Sequence, residues 1–213
     1  MRMSIIAFVR KNLVIAVVCC CVCITFAYPR QQKPERKTSE QFIAEIDTAA
    51  VIQQTLTESP DARTIAYVAR KNHRQYVVVQ GKLHKDYEGI GTGGLVFSPN
   101  GKRTAYLARN GEQYFIVVDG VEQERYEGLG TDPVFSPDGR SVAYVALGET
   151  DQFVVVDKKE LKHYQGIGSR GPVFSPENKH LAFVAVENQK FFLVLDGKEG
   201  KKYDRLPMNS IVF

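Results

Sequence analysis

From residue 59 onward the chain alternates short apolar runs with polar punctuation, at a fixed rhythm. One apolar segment is written four times: "TIAYVAR" (64–70), "RTAYLAR" (103–109), "SVAYVAL" (141–147) and "HLAFVAV" (180–186), at steps of 39, 38 and 39 residues. A β-branched and aromatic run follows each copy: "QYVVVQG", "YFIVVDG", "QFVVVDK" and "FFLVLDG". Tyr87, Tyr126, Tyr164 and Tyr203 recur behind these, and "VFSPNGK", "VFSPDGR" and "VFSPENK" open the later copies. Apolar runs this short, rich in Val, Tyr and Phe and bounded by turn residues, predict strands. Each unit therefore predicts four: a (VF), b (AYVA), c (VVVD) and d (around the Tyr). Ser-Pro-Asp/Asn-Gly makes the tight a–b turn, and Asp119–Gly120 or Asp196–Gly197 makes a c–d hairpin.

Four strands in ~40 residues is the unit of a propeller blade. The fold class read here is all-β, a β-propeller of four four-stranded blades over residues 58–213, divided near 59–97, 98–135, 136–174 and 175–213. The b and c runs are apolar on both faces, as stacked sheets require. "FSPDGRSVAYV" (135–145), with b, c and d strands behind it, resembles the TolB-type, WD-repeat-like propeller repeat of bacterial proteins, and the resemblance covers Ser59 to Phe213. Departures are the absence of Trp, Thr57 and Glu58 where Val and Phe stand in later copies, and "PENK" without the turn glycine. The resemblance implies a propeller whose b–c and d–a loops share one face, and a role in cell-envelope assemblies.

The chain closes on "SIVF", an a strand with no blade behind it, while the first repeat has lost its apolar a pair. Two arrangements follow. Ile211–Phe213 supplies the inner strand of blade 1 and closes a four-bladed ring, which removes open sheet edges. Otherwise the repeats form an arc of a larger propeller.

The N-terminal part differs. Leu13–Tyr28 is an uncharged, mostly apolar run behind Arg2, Arg10 and Lys11, ending in Thr25-Phe26-Ala27. This is the layout of a secretory signal peptide cut after Ala27, or of an uncleaved membrane anchor with Tyr28 and Arg30 at the interface. Residues 1–28 are read as that segment and 29–57 as linker and helix. "PRQQKPERKTSE" (29–40) is a polar linker, and Thr38 with Gln41 fits a capping box ahead of an amphipathic helix from Ser39 to Thr55. The expectation is an exported, periplasmic or extracytoplasmic body.

Composition narrows the function. The net charge of +4 sits at the N-terminus: residues 1–40 hold seven Lys/Arg and two Asp/Glu, leaving 21 basic and 22 acidic residues in the rest. A near-neutral body lacks the electrostatic footprint of a nucleic-acid binder. All four cysteines (Cys19, Cys20, Cys21, Cys23) lie in the apolar run, so the body folds without disulfides.

No catalytic constellation is visible. Gly89, Gly91 and Gly94 match G-x-G-x-x-G, but a strand follows them where a phosphate loop must open a helix. The match reads as a blade-to-blade connector. There is no G-x-S-x-G elbow, and His73, His84, His163 and His180 fall at different repeat positions. Asp119, Asp157 and Asp196 (Gln80 in blade 1) read as hairpin residues, and the repeated Tyr as packing on the outer sheet or between blades. No cofactor or metal is expected. The b–c loops carry Arg70, Lys71, Arg74 and Arg109 in blades 1 and 2, and Glu149, Asp151 and Glu187 in blades 3 and 4. That polarised face is the candidate docking surface for a protein or peptide partner. The expectation is a non-enzymatic binding or scaffold module. The competing expectation is the propeller part of an enzyme, peptidase-associated or hydrolase/lactonase-like.

Overall fold

The structure is a computed structural model, and it describes residues 2–10, 13–16, 40–47, 50–206, 211 and 213. Strands β1 (Arg2–Arg10), β2 (Leu13–Ala16) and β3 (Glu40–Asp47) form an antiparallel sheet in the order β2-β1-β3. Of the helix expected over Ser39–Thr55, Glu40–Asp47 is a strand instead. Phe42, Ala44 and Ile46 recur at every second position, so the same apolar set serves a strand, and β1 offers it an edge (Met3↔Ile46, Ile6↔Phe42). Among the described residues of that segment only Gln53–Thr55 makes a helical turn, of the 3-10 type. Residues 17–28 of the apolar run, with the cleavage position at Ala27, lie outside the described residues. Among the described residues no helix is long and apolar enough to cross a membrane.

The repeats fold as the strand count predicts. Blade 1 is β4 (Thr57–Glu58), β5 (Ile65–Lys71), β6 (Arg74–Val79) and β7 (Lys82–Tyr87). Blade 2 is β8 (Gly89–Phe97), β9 (Thr104–Asn110), β10 (Gln113–Val118) and β11 (Val121–Tyr126). In blade 3 the inner strand is split into β12 (Gly128–Leu129) and β13 (Val134–Phe135), followed by β14 (Val142–Leu147), β15 (Gln152–Val156) and β16 (Lys159–Tyr164). Blade 4 repeats this with β17 (Gly166–Ile167), β18 (Val173–Phe174), β19 (Leu181–Glu187), β20 (Lys190–Leu195) and β21 (Lys198–Glu199). All are antiparallel in the order a-b-c-d.

Turn chemistry sets these registers. Both central residues of every c–d turn have positive φ: Gln80 and Gly81, Asp119 and Gly120, Asp157 and Lys158, Asp196 and Gly197. That is the backbone a two-residue hairpin matched to strand twist requires. The recurring Asp does more than turn. Its carboxylate accepts the N–H that begins strand b, from Thr104 to Asp119, Val142 to Asp157 and Leu181 to Asp196, at 2.8–2.9 Å. In the a–b turn a buried serine organises the chain. Ser59, Ser98 and Ser136 donate to Asp61, Asn100 and Asp138, and each Oγ accepts the N–H five residues on. Where blade 4 lacks the turn glycine, Asn178 takes φ 57°.

Connectors between blades belong to the sheet they enter. Ile90, Leu129 and Ile167 pair with Ala108, Ala146 and Ala185 of the next b strand. Gly91, Gly130 and Gly168 lie against that strand, where a Cβ would approach Leu107, Val145 and Val184 to 3.2, 2.9 and 3.1 Å. Gly91, the middle glycine of the apparent dinucleotide fingerprint, is there for close packing. Val51 pairs with Ala69 in the same way, and Ile52 N–H bonds Val68 O at 2.9 Å. The blade body therefore begins at residue 50.

The core lies between blades. The first three d-strand tyrosines pack edge-on against two rings of the next blade. Tyr87 meets Tyr106 and Phe115, Tyr126 meets Tyr144 and Phe153, and Tyr164 meets Phe183 and Phe192, with centroids 5.5–6.3 Å apart. Burial pushes the Tyr87 phenol up to about 12. Tyr203 meets no ring of another blade among the described residues and is 44% exposed. Leu193 is 39% exposed, while its counterparts Val77, Ile116 and Val154 are fully buried.

The ring closure expected from Ile211–Phe213 is not seen. Thr57 and Glu58 themselves fill the inner strand of blade 1, bonded to Ala66 and Ile65. A strand needs backbone partners more than apolar side chains, so the loss of Val and Phe there does not empty the position. Ile211 packs on Ala182 and Val184 of blade 4, as Leu95 packs on Ala66 and Val68 of blade 1. The first and last sheets have separate end clusters, and the four sheets do not close on each other.

Candidate functional site

The b–c turns and the connectors lie at the same end of the blades, as expected for a shared face. Connectors are fastened to the following turn. Glu88 N–H donates to Asn110 Oδ1 at 3.2 Å, Gly111 N–H donates to Glu88 Oε2 at 3.0 Å, and Asn188 N–H donates to Gln165 Oε1 at 2.7 Å. Gln75 and Gln152, at the start of strand c, accept the N–H of Ile90 and Ile167 in the next blade at 2.7 and 2.8 Å. The face is an array of turns held by cross-links, not a set of free loops.

Its charges divide into paired and unpaired groups. Arg74 bonds Asp86 across the c–d hairpin and reaches Asn110 Oδ1 at 3.4 Å. Arg109 donates to Gly111 O at 2.6 Å and lies 3.7 Å from Glu88. Asp151 holds His163 Nδ1 at 2.9 Å, and Glu187 lies 4.0 Å from Lys202. These four residues of the expected docking set serve internal contacts. Arg70, Lys71 and Glu149 have no ion-pair partner among the described residues. Sequence spacing held the missing signal: Arg74–Asp86 and Asp151–His163 are both twelve residues apart, the register of the c–d hairpin.

The acidic side of the face is larger than the loop sequences imply. Glu112, Glu127 and Glu149 rim a groove of about 440 Å³ between blades 2 and 3, with Tyr126 and Leu147 in its wall. Arg125 also lines it, but donates to Glu122 and Gln113 and lies over the Phe115 ring. Basic character is concentrated on blade 1, and the groove beside blade 3 is acidic.

At the outer rim, Lys85 bridges to Glu122 and Lys162 to Glu199, each at 2.6 Å. Those lysines donate to the two carboxyls and hold them below the usual range. Between blades 2 and 3 the lysine position is Glu124 and no bridge forms. Among the described residues no group of three or more His, Cys, Asp or Glu is placed to hold a metal ion.

No family model matches the chain, and no curated protein matches its sequence. Solved structures do. TolB from Acinetobacter baumannii aligns over 78% of this chain and 48% of its own, at 15% identity and a TM-score of 0.43. The β-propeller domain of the trilobed protease from Pyrococcus furiosus aligns over 68% and 54%, at 13% identity and 0.42. The acylaminoacyl peptidase of Pyrococcus horikoshii aligns over 66% and 31%, at 12% identity and 0.41. The chain spans about half the length of the first two and about a third of the last. The blade assignment rests on strand order and register, since similarity at this level is slight.

Proposed function

We propose that the chain is a non-enzymatic, exported or membrane-anchored propeller module of the cell envelope, which docks a protein or peptide on the face made by its b–c turns and connectors. The observation that carries this is the cross-linking of that face. Glu88, Gln165, Gln75 and Gln152 tie connectors to neighbouring blades, so the turns are preorganised and their ordering entropy is lost on folding, not on binding. Arg70 and Lys71 at one side and the Glu112–Glu127–Glu149 groove at the other give a partner a fixed polarity. A partner with an acidic segment over blade 1 and a basic one over blades 2 and 3 fits.

The test is capture of a co-purifying partner by the tagged chain, followed by charge reversal. Arg70→Glu with Lys71→Glu should abolish capture without lowering the melting temperature, because neither side chain holds an internal ion pair. Reversing Arg74 and Arg109 as well should add a loss of stability. Capture that survives all four reversals rules this face out. Export is tested separately, by protease accessibility of the body in intact and permeabilised cells.

A further inference from the structure

The three joints between blades are built from equivalent positions, so a gap at one of them traces to single residues. In each, a d-strand side chain covers the b-strand ring of the next blade. Between blades 1 and 2 this is His84, with its ring 6.1 Å from that of Tyr106 and Nδ1 3.4 Å from the Tyr106 hydroxyl. Between blades 3 and 4 it is Leu161, packed in the cluster that holds Phe183. Between blades 2 and 3 the position is Gln123, whose amide turns away and donates to Val121 O at 2.9 Å. An open cleft of about 300 Å³ remains beside the c–d turns, at the end of the blades opposite the docking face. That is the lower end of the range usual for small-ligand sites, roughly 300–1,000 Å³.

The wall chemistry is specific. Tyr144 lines the cleft and is 2% exposed, and its hydroxyl is buried within the joint, out of reach of the cleft. Arg103 and Asp119 are committed to each other at 2.8 Å. Three other groups are not committed. Asp157 accepts the Val142 N–H through Oδ1, and no donor reaches its Oδ2 among the described residues. The Gln123 carbonyl oxygen and the Lys158 ammonium likewise have no partner there. Three valine side chains supply the apolar remainder.

We propose that this cleft binds a free amino acid as its zwitterion. The uncommitted acceptors, Asp157 Oδ2 and Gln123 Oε1, suit an ammonium group. Lys158, in the same turn as Asp157, suits the carboxylate. The opposite charges cancel, so a neutral zwitterion satisfies both, whereas a simple ion would leave one of them facing a like charge. The ligand side chain lies on the valines and against Tyr144. This site is independent of the docking reading, since it faces the other way and shares none of those residues.

Ligand-observed NMR with the twenty free L-amino acids is the direct test. At least one small amino acid should bind saturably, and its N-acetyl and methyl ester derivatives should each bind at least tenfold more weakly. Gln123→Leu, which copies the residue plugging the joint between blades 3 and 4, should remove binding. Lys158→Ala, on an exposed turn, should weaken it about tenfold and decides the matter even if the first variant folds poorly. Absence of saturable binding by all twenty, binding untouched by both substitutions, or binding of monosaccharides in their place would overturn the assignment.

Discussion

Tyr87 and Tyr203 occupy the same place in their repeats, and among the described residues only the first packs against another blade. Alanine at both positions isolates the value of that packing. Tyr87 is fully buried, with the Phe115 and Tyr106 rings 5.5 and 6.3 Å from its own. Deleting an aromatic ring from such a site costs about 3–5 kcal/mol, the cavity included. The Tyr87 hydroxyl is buried without a partner, so its removal also relieves a desolvated group and offsets about 1 kcal/mol of the loss. The net expectation for Tyr87→Ala is about 2–4 kcal/mol. Tyr203 keeps its backbone bridge to Phe191 whatever its side chain, and nearly half of its surface is in water. Its truncation should cost under about 1 kcal/mol. Urea titration followed by circular dichroism reads the difference. With a slope near 2 kcal/mol/M, the Tyr87→Ala midpoint should fall by about 1–2 M and the Tyr203→Ala midpoint by under about 0.5 M. Equal shifts would refute the claim that the core lies between blades.

Three further outcomes follow from the joints. Tyr164→Phe removes another unpartnered buried hydroxyl and should be neutral or stabilise by up to about 1 kcal/mol in the same titration. Glu124→Lys places a lysine opposite Glu160, as Lys85 stands opposite Glu122. It should add roughly 0.2–1 kcal/mol at low salt and nothing at high salt. Burial holds the His84 imidazole below its ordinary value of 6.5, so the folded chain takes up its proton later than the unfolded chain as pH falls. His84 thus contributes stability above pH 6.5 that is lost as pH drops from there through the folded value. His84→Leu should flatten the fall of melting temperature with pH just below 6.5, and an unchanged slope would put that titration elsewhere.

Most of the blade architecture was legible because it is local. A positive-φ pair closing a two-residue hairpin, or a serine whose Oγ bonds the next few residues, is specified within five or six positions, and the sequence repeats those positions openly. The residues around Phe42 were misread because apolar residues at 42 and 46 satisfy both a helical and an alternating pattern, and the distant edge of β1 decides between them. Which of the two arrangements, ring or arc, the repeats adopt was not legible for a related reason. "SIVF" states that an inner strand exists there, but not which sheet receives it, and Ile211 stays beside blade 4. Of the proposed docking face, only the charges were legible. Charge is visible in sequence, while its neutralisation by Asp86, Glu88, His163 or Lys202 depends on hairpin register and on neighbouring blades.

The cross-links between blades differ from joint to joint. The first and third joints are each clamped at the rim by a Lys–Glu bridge and at the connector by a glutamine. The middle joint has Glu124 and Tyr114 at those positions. It is pinned at the opposite end instead, where Asn100 Nδ2 donates to Asp138 O at 3.2 Å and Arg103 reaches the Arg140 carbonyl. The middle joint is thus held at its b–c end by the packing of Tyr126 on Tyr144 and Phe153, while its polar cross-links sit at the a–b turns, far from the glutamate groove.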